Sequence, residues 1–162
     1  MADEATDADG TVQVPDGIAQ EPLEAWFGEN VPGVRLPLGF ERIAGGHSNL
    51  TYRVTDAAGA RWALRRPPLG KRLGSAHDMA REHRMISALA GTAVPVPEAI
   101  ALCPDPEVTG APFYVMSHVE GRVLRADADL SDLDATARRE LARTMTAVLA
   151  DLHAIDPEAV GL

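Results

Sequence analysis

The sequence predicts an α+β fold: a mainly antiparallel sheet of five strands, one helix between the third and fourth strands, and a long C-terminal helix. Three observations carry this. The first three strand-like runs are joined by tight turns, which makes them antiparallel. One amphipathic run of helical period separates them from two further strand-like runs. Near the C-terminus, Leu141, Met145, Val148, Leu152 and Ile155 follow the 4-3-4-3 spacing of a single helical stripe. A parallel α/β sheet would need a helix between successive strands, and the first three have none.

The elements follow in order. Residues 1–17 are rich in Asp, Ala, Gly and Thr and read as a disordered leader. Leu23, Trp26, Phe27 and Val31 recur at helical spacing within an amphipathic segment, 18–34, that Pro32-Gly33 closes. Strands are expected over 38–44, 50–55 and 60–66, with the turn "DAAG" between the second and third. Trp62 and Leu64 share one strand face, so Arg65 points to the other. A helix is expected from Ser75 to Leu89, with Asp78 as capping-box partner and Gly91 beyond the end. Two more strands, 98–103 and 112–118, flank the turn-rich "PDPEVTG". A linker spans 119–133, and the last helix runs from about Asp134 to Ile155. The compact sheet region is thus 35–118, followed by one long helix in 134–162.

Of the 162 residues, 46% are hydrophobic and 24% charged, as in a globular protein. No run of about 18 apolar residues suggests a membrane span. No secretory signal is recognisable, and Cys103 stands alone, which points to a reducing cytoplasm. The net charge of −9 is misleading as an average. Residues 1–34 hold eight Asp and Glu and no Lys or Arg, whereas 42–84 hold nine Lys and Arg against three acids. That local field suits a small anion or phosphates. Nucleic acid is not expected, because no helix-turn-helix, zinc-finger or aromatic stacking pattern accompanies the charge.

The stretch "IAGGHSNLTYRV" raises phosphate chemistry directly. It fits neither GxxxxGK[ST] nor GxGxxG before a helix, since a strand follows it. Glycines in a hairpin turn still allow close backbone approach to an anion, although an ordinary turn has the same composition. Glu82 lies on the apolar stripe of Met79, Ile86 and Leu89, where a carboxylate is costly unless paired. Arg65 is one partner; Arg81 or water are others. The strand "PFYVMSHVEG" loosens into a glycine-terminated segment whose backbone could hydrogen-bond a flat heterocycle.

Together "GGHSNLTYRV", "WALRRPP", "SAHDMAREHRMISAL", "VPVPEAIALCPDPEVTGAPFYVM" and "LHAIDPEAVGL" resemble the aminoglycoside-phosphotransferase-like superfamily, near the kinase-like domain fused to some acyl-CoA dehydrogenases. The resemblance covers about residue 20 onward. It implies the N-terminal lobe of a protein-kinase-like fold, with ATP and Mg2+ as cofactors. The implied partners are ATP and a small-molecule hydroxyl acceptor, aminoglycoside-like or hydroxyacyl. Gly45, Gly46, His47, Ser48 and Asn49 match the loop over the phosphates. Arg65 matches the strand lysine that contacts them; arginine there departs from the general kinase pattern but is similar to this branch. Glu82 matches its helix partner. Met116, Ser117, His118 and Val119 match the hinge that reads adenine.

The catalytic aspartate and the metal-holding carboxylates of such enzymes follow the long helix. No catalytic or metal residue is therefore expected within this chain. His153-Ala154-Ile155-Asp156 has one residue too many for the usual loop, and Asp127-Ala128-Asp129 precedes the helix. The chain is expected to be catalytically silent alone, with its 134–155 helix covered by self-association, a partner, a missing C-lobe or docking back on the N-terminal lobe. A non-catalytic nucleotide-binding or interaction module with the same fold is the alternative.

Overall fold

The computed structural model describes residues 14–43, 49–70 and 78–162. Residues 1–13 of the expected leader, Gly45–Ser48 of the expected phosphate loop and the expected helix start at Ser75 lie outside these. The chain divides into two compact units, Met1–His83 with Glu98–His118, and Arg84–Pro97 with Val119–Leu162.

The first unit is built on a five-stranded antiparallel sheet. Its strands are β1 (Gly39–Arg42), β2 (Leu50–Thr55), β3 (Arg61–Arg66), β4 (Ala99–Cys103) and β5 (Phe113–Ser117), in the spatial order β1-β2-β3-β5-β4. Helix α1 (Gln20–Asn30) packs on one face. Helix α2 (Met79–Leu89) follows β3, and its N-terminal turns belong to this unit.

Strand alternation sorts the side chains. Tyr52, Val54, Leu64, Phe113 and Val115 are buried and join Leu23 and Phe27 from α1, and Val31 at its C-cap, in one core. Trp26 meets Phe113 edge-on at 4.8 Å between ring centroids, and Phe27 meets Trp62 at 6.2 Å. Such pairs add to the area they bury. The expected stripe on α1 is therefore the contact stripe. On α2 the outcome is more modest, with Met79 buried but Ile86 and Leu89 only half-buried.

Strand ends are shorter than the composition suggested. Ala60 belongs to the turn, because its N–H and carbonyl are both engaged by Asp56. Asp56 accepts from the amides of Ala58 and Ala60 at 2.8 Å each and from Arg35 at 2.9 Å. Burial pushes its carboxyl upward, but these amide donors, with the Arg35 charge, outweigh it and hold it below the ordinary range. Gly59 takes φ +84° to close this hairpin, a region that residues with a Cβ rarely enter. Asp78 corrects the capping reading. Its carboxylate accepts from the Arg81 amide at 3.0 Å, so it caps α2 itself.

The segment before α1 is fastened to the sheet. Tyr52 Oη donates to the Asp16 carbonyl at 2.6 Å. Buried Arg66 donates to the Gly17 carbonyl and, at 3.0 Å, to that of Thr109. Residues 16 and 17, grouped by composition with a disordered leader, are thus held by hydrogen bonds.

In the second unit, helix α3 (Ala135–His153) begins at Asp134, whose carboxylate accepts from the Thr136 and Ala137 amides at 2.8 Å. No residue of α3 is buried, and Met145, Leu149 and Leu152 are exposed. Among the described residues no helix is long and apolar enough to cross a membrane.

Candidate functional site

On the sheet face opposite the aromatic core, antiparallel register sets Thr51, Arg65 and Tyr114 side by side across β2, β3 and β5. Residues opposite one another in a ladder point to the same face. Arg65 and Tyr114 therefore reach the same space as Glu82 of α2. The alternation that sends Leu64 into the core dictates this placement of Arg65.

Arg65 Nε donates to Glu82 Oε2 at 2.7 Å, and Arg65 Nη1 donates to Thr51 Oγ1 at 3.0 Å. The pair is partly exposed, 31% for Arg65 and 27% for Glu82. Asn49 Nδ2 donates to Glu82 Oε1 at 2.7 Å, and Tyr114 Oη to Oε2 at 3.2 Å. Glu82 thus pairs with Arg65 across the sheet rather than with its neighbour Arg81. Burial and the Glu82 charge push the Tyr114 phenol up to about 12, so it stays a neutral donor. His83 stacks edge-on against Tyr114 at 6.0 Å, and burial holds its pKa below the ordinary range.

Two contacts leave much of the guanidinium available. Among the described residues, Nη2 has no hydrogen-bond partner. Arg carries five N–H groups in a planar fork that matches phosphate and carboxylate oxygens. A cation fixed in direction by a carboxylate, with donors to spare and partial access to solvent, can grip an anion.

The structure thus brings Asn49, Arg65 and Glu82 together. It engages the Asn49 side chain with Glu82, a role the sequence did not suggest. Met116 and Ser117 end β5, His118 follows half-buried, and Val119 is exposed. The Ser117 amide donates to the Glu98 carbonyl at 2.9 Å and its Oγ accepts from the Glu98 amide at 2.9 Å. That N–H is consequently engaged within the sheet. Thr51 and Tyr114 were missed by the sequence reading. Their signal was period-two register with Arg65, which becomes visible once the strand pairing is known. Among the described residues, no three His, Cys, Asp or Glu side chains gather as a metal site.

Comparisons with known proteins agree with this architecture. The profile described as "Phosphotransferase enzyme family" matches residues 39–162. Mouse acyl-CoA dehydrogenase family member 10 is 34% identical over 94% of this chain and 14% of its own length. The probable acyl-CoA dehydrogenase IBR3 of Arabidopsis thaliana is 40% identical over 72% of this chain and 15% of its own. Chicken acyl-CoA dehydrogenase family member 11 is 35% identical over 88% and 18%. The chain therefore spans less than a fifth of the length of these relatives. A putative aminoglycoside phosphotransferase from Ralstonia eutropha JMP134 superposes with a TM-score of 0.72 at 37% identity, covering 88% of this chain and 40% of that one. The expected α+β, kinase-like fold is thereby met. With strand order, a cation-bearing sheet face and profile all in agreement, the chain belongs to the phosphotransferase enzyme family.

Proposed function

We propose that the sheet face bearing Arg65 binds the phosphates of ATP, and that the chain is the donor-nucleotide portion of a small-molecule phosphotransferase. The observation that supports this most directly is the half-engaged guanidinium, anchored through Nε and Nη1 with Nη2 left available. Phosphoryl transfer relies on positioning and charge stabilisation more than on covalent chemistry by the protein. A cation locked in direction answers that need. The backbone after Met116 would read the adenine edge, without the Ser117 amide. Mg2+, if bound with ATP, would supply charge neutralisation at the phosphates, and none of the described residues is assigned to hold it. The acceptor is a hydroxyl on a small molecule. The names of the acyl-CoA dehydrogenase relatives favour a hydroxyacyl compound over an aminoglycoside. The 162 residues include no motif matching the required catalytic aspartate, so this chain alone should bind ATP without transferring phosphate.

Calorimetric titration of ATP into the wild-type chain and Arg65→Ala tests the reading. Affinity should fall at least about tenfold, the loss of a charge-assisted contact. Equal affinities, or no ATP binding by wild type, would overturn it.

A further inference from the structure

Glu82 is held from three elements at once. Arg65 comes from β3, Tyr114 from β5 and Asn49 from the residue preceding β2. Asn49 and Tyr114 are both buried, at 5% and 3% exposure. We propose that Asn49 and Tyr114 are positioning residues, which fix the Glu82 carboxylate and through it the direction in which Arg65 presents its remaining N–H groups.

The argument is geometric. A glutamate on a helix retains rotation about several bonds, and one contact to Oε2 would leave the carboxylate plane free to swing about that oxygen. Asn49 takes the other oxygen, at 2.7 Å, and so defines the plane. Tyr114 adds a second donor on Oε2 at 3.2 Å. The guanidinium is itself planar, so fixing Nε at Glu82 and Nη1 at Thr51 fixes where Nη2 points. Asn49 thus acts on bound phosphate through Glu82 and Arg65, by its side-chain amide. The role in nucleotide binding rests on the phosphate-binding reading of Arg65; the hold on the carboxylate does not.

The test uses the full 162-residue chain, 15N-labelled, with and without ATP. In the absence of nucleotide, the Arg65 Nε–Hε signal should exchange slowly with water in wild type. It should exchange about tenfold faster in Asn49→Ala, and severalfold faster in Tyr114→Phe, which removes one hydroxyl. A general loosening of the fold would move the Arg66 signal as well, and that signal should stay unchanged. The ATP dissociation constant should rise about tenfold in Asn49→Ala and severalfold in Tyr114→Phe. Unchanged Arg65 Hε exchange in both variants overturns the proposal. So does faster exchange with undiminished ATP affinity. If wild type takes no ATP, the phosphate reading falls, and the nucleotide-free exchange rates still decide whether these residues hold the pair. Should Asn49→Ala fail to fold, Tyr114→Phe carries the same test.

Discussion

Glu82→Ala removes the acceptor shared by three donors, and its cost can be worked from their surroundings. Asn49 is buried and loses a charged acceptor, a change that typically costs about 1–3 kcal/mol. The Arg65–Glu82 pair is about 30% exposed, so its Coulombic part is screened and discounted to about 0.5–1 kcal/mol. Tyr114 contributes less through its longer bond, and the better helix propensity of alanine returns a few tenths. The expected loss is about 3 kcal/mol. With a urea slope of about 1.5 kcal/mol/M, the unfolding midpoint should fall by about 2 M. Glu82→Gln keeps one acceptor and should lose about half as much. Most of the loss should persist in about 1 M NaCl, because the dominant contribution is the hydrogen bond made by the buried Asn49 amide rather than exposed charge. A loss under about 0.5 kcal/mol, or one that vanishes in high salt, would refute this reasoning.

Three further outcomes are expected. Asp56 has a folded pKa below its reference value of 3.8, so its stabilising effect is present above that value and lost as pH falls through the lowered one. Thermal midpoints followed from about pH 6 to pH 2 should therefore fall more steeply in wild type than in Asp56→Asn, and parallel curves would contradict the assignment. Phe113→Ala should cost about 3–5 kcal/mol by chemical denaturation, since the ring is fully buried against Trp26. Leu149→Ala, on the exposed face of α3, should cost under about 0.5 kcal/mol, and a loss comparable to that of Phe113→Ala would show the face to be covered.

What could be read in advance followed the two periodicities. Period two placed Leu64 and Arg65 on opposite faces, and helical spacing marked Glu82 as a carboxylate needing a partner. Their meeting required only that β3 and α2 be consecutive and packed. Thr51 and Tyr114 were illegible because their neighbourhood with Arg65 depends on strand register, and β5 lies nearly fifty residues from β3. The contact of Asn49 with Glu82 was equally illegible, since a residue beside a glycine-rich stretch has no periodicity to aim its side chain. Asp78 misled for a local reason. An acid near a helix start serves equally as the cap or as a partner three residues inside, and only the Arg81 amide distinguishes them. The α3 stripe has helical period, but spacing alone says nothing of what would cover it.

The fastening of the chain before α1 has a consequence for which substitutions it tolerates. Tyr52 and Arg66 grip carbonyl oxygens, and every amino acid supplies one. The clasp therefore holds its strap without reading it, and the side chain of Asp16 is free to drift. Gly17 is the exception, because an added Cβ would meet Arg66 Nη1, Leu69 Cδ2 and Tyr52 Oη at 3.0 Å in a backbone already at φ +87°. Neighbouring positions in this one short segment thus differ in what they tolerate: at 16 only the carbonyl is held, whereas at 17 any side chain strains the backbone and crowds the clasp.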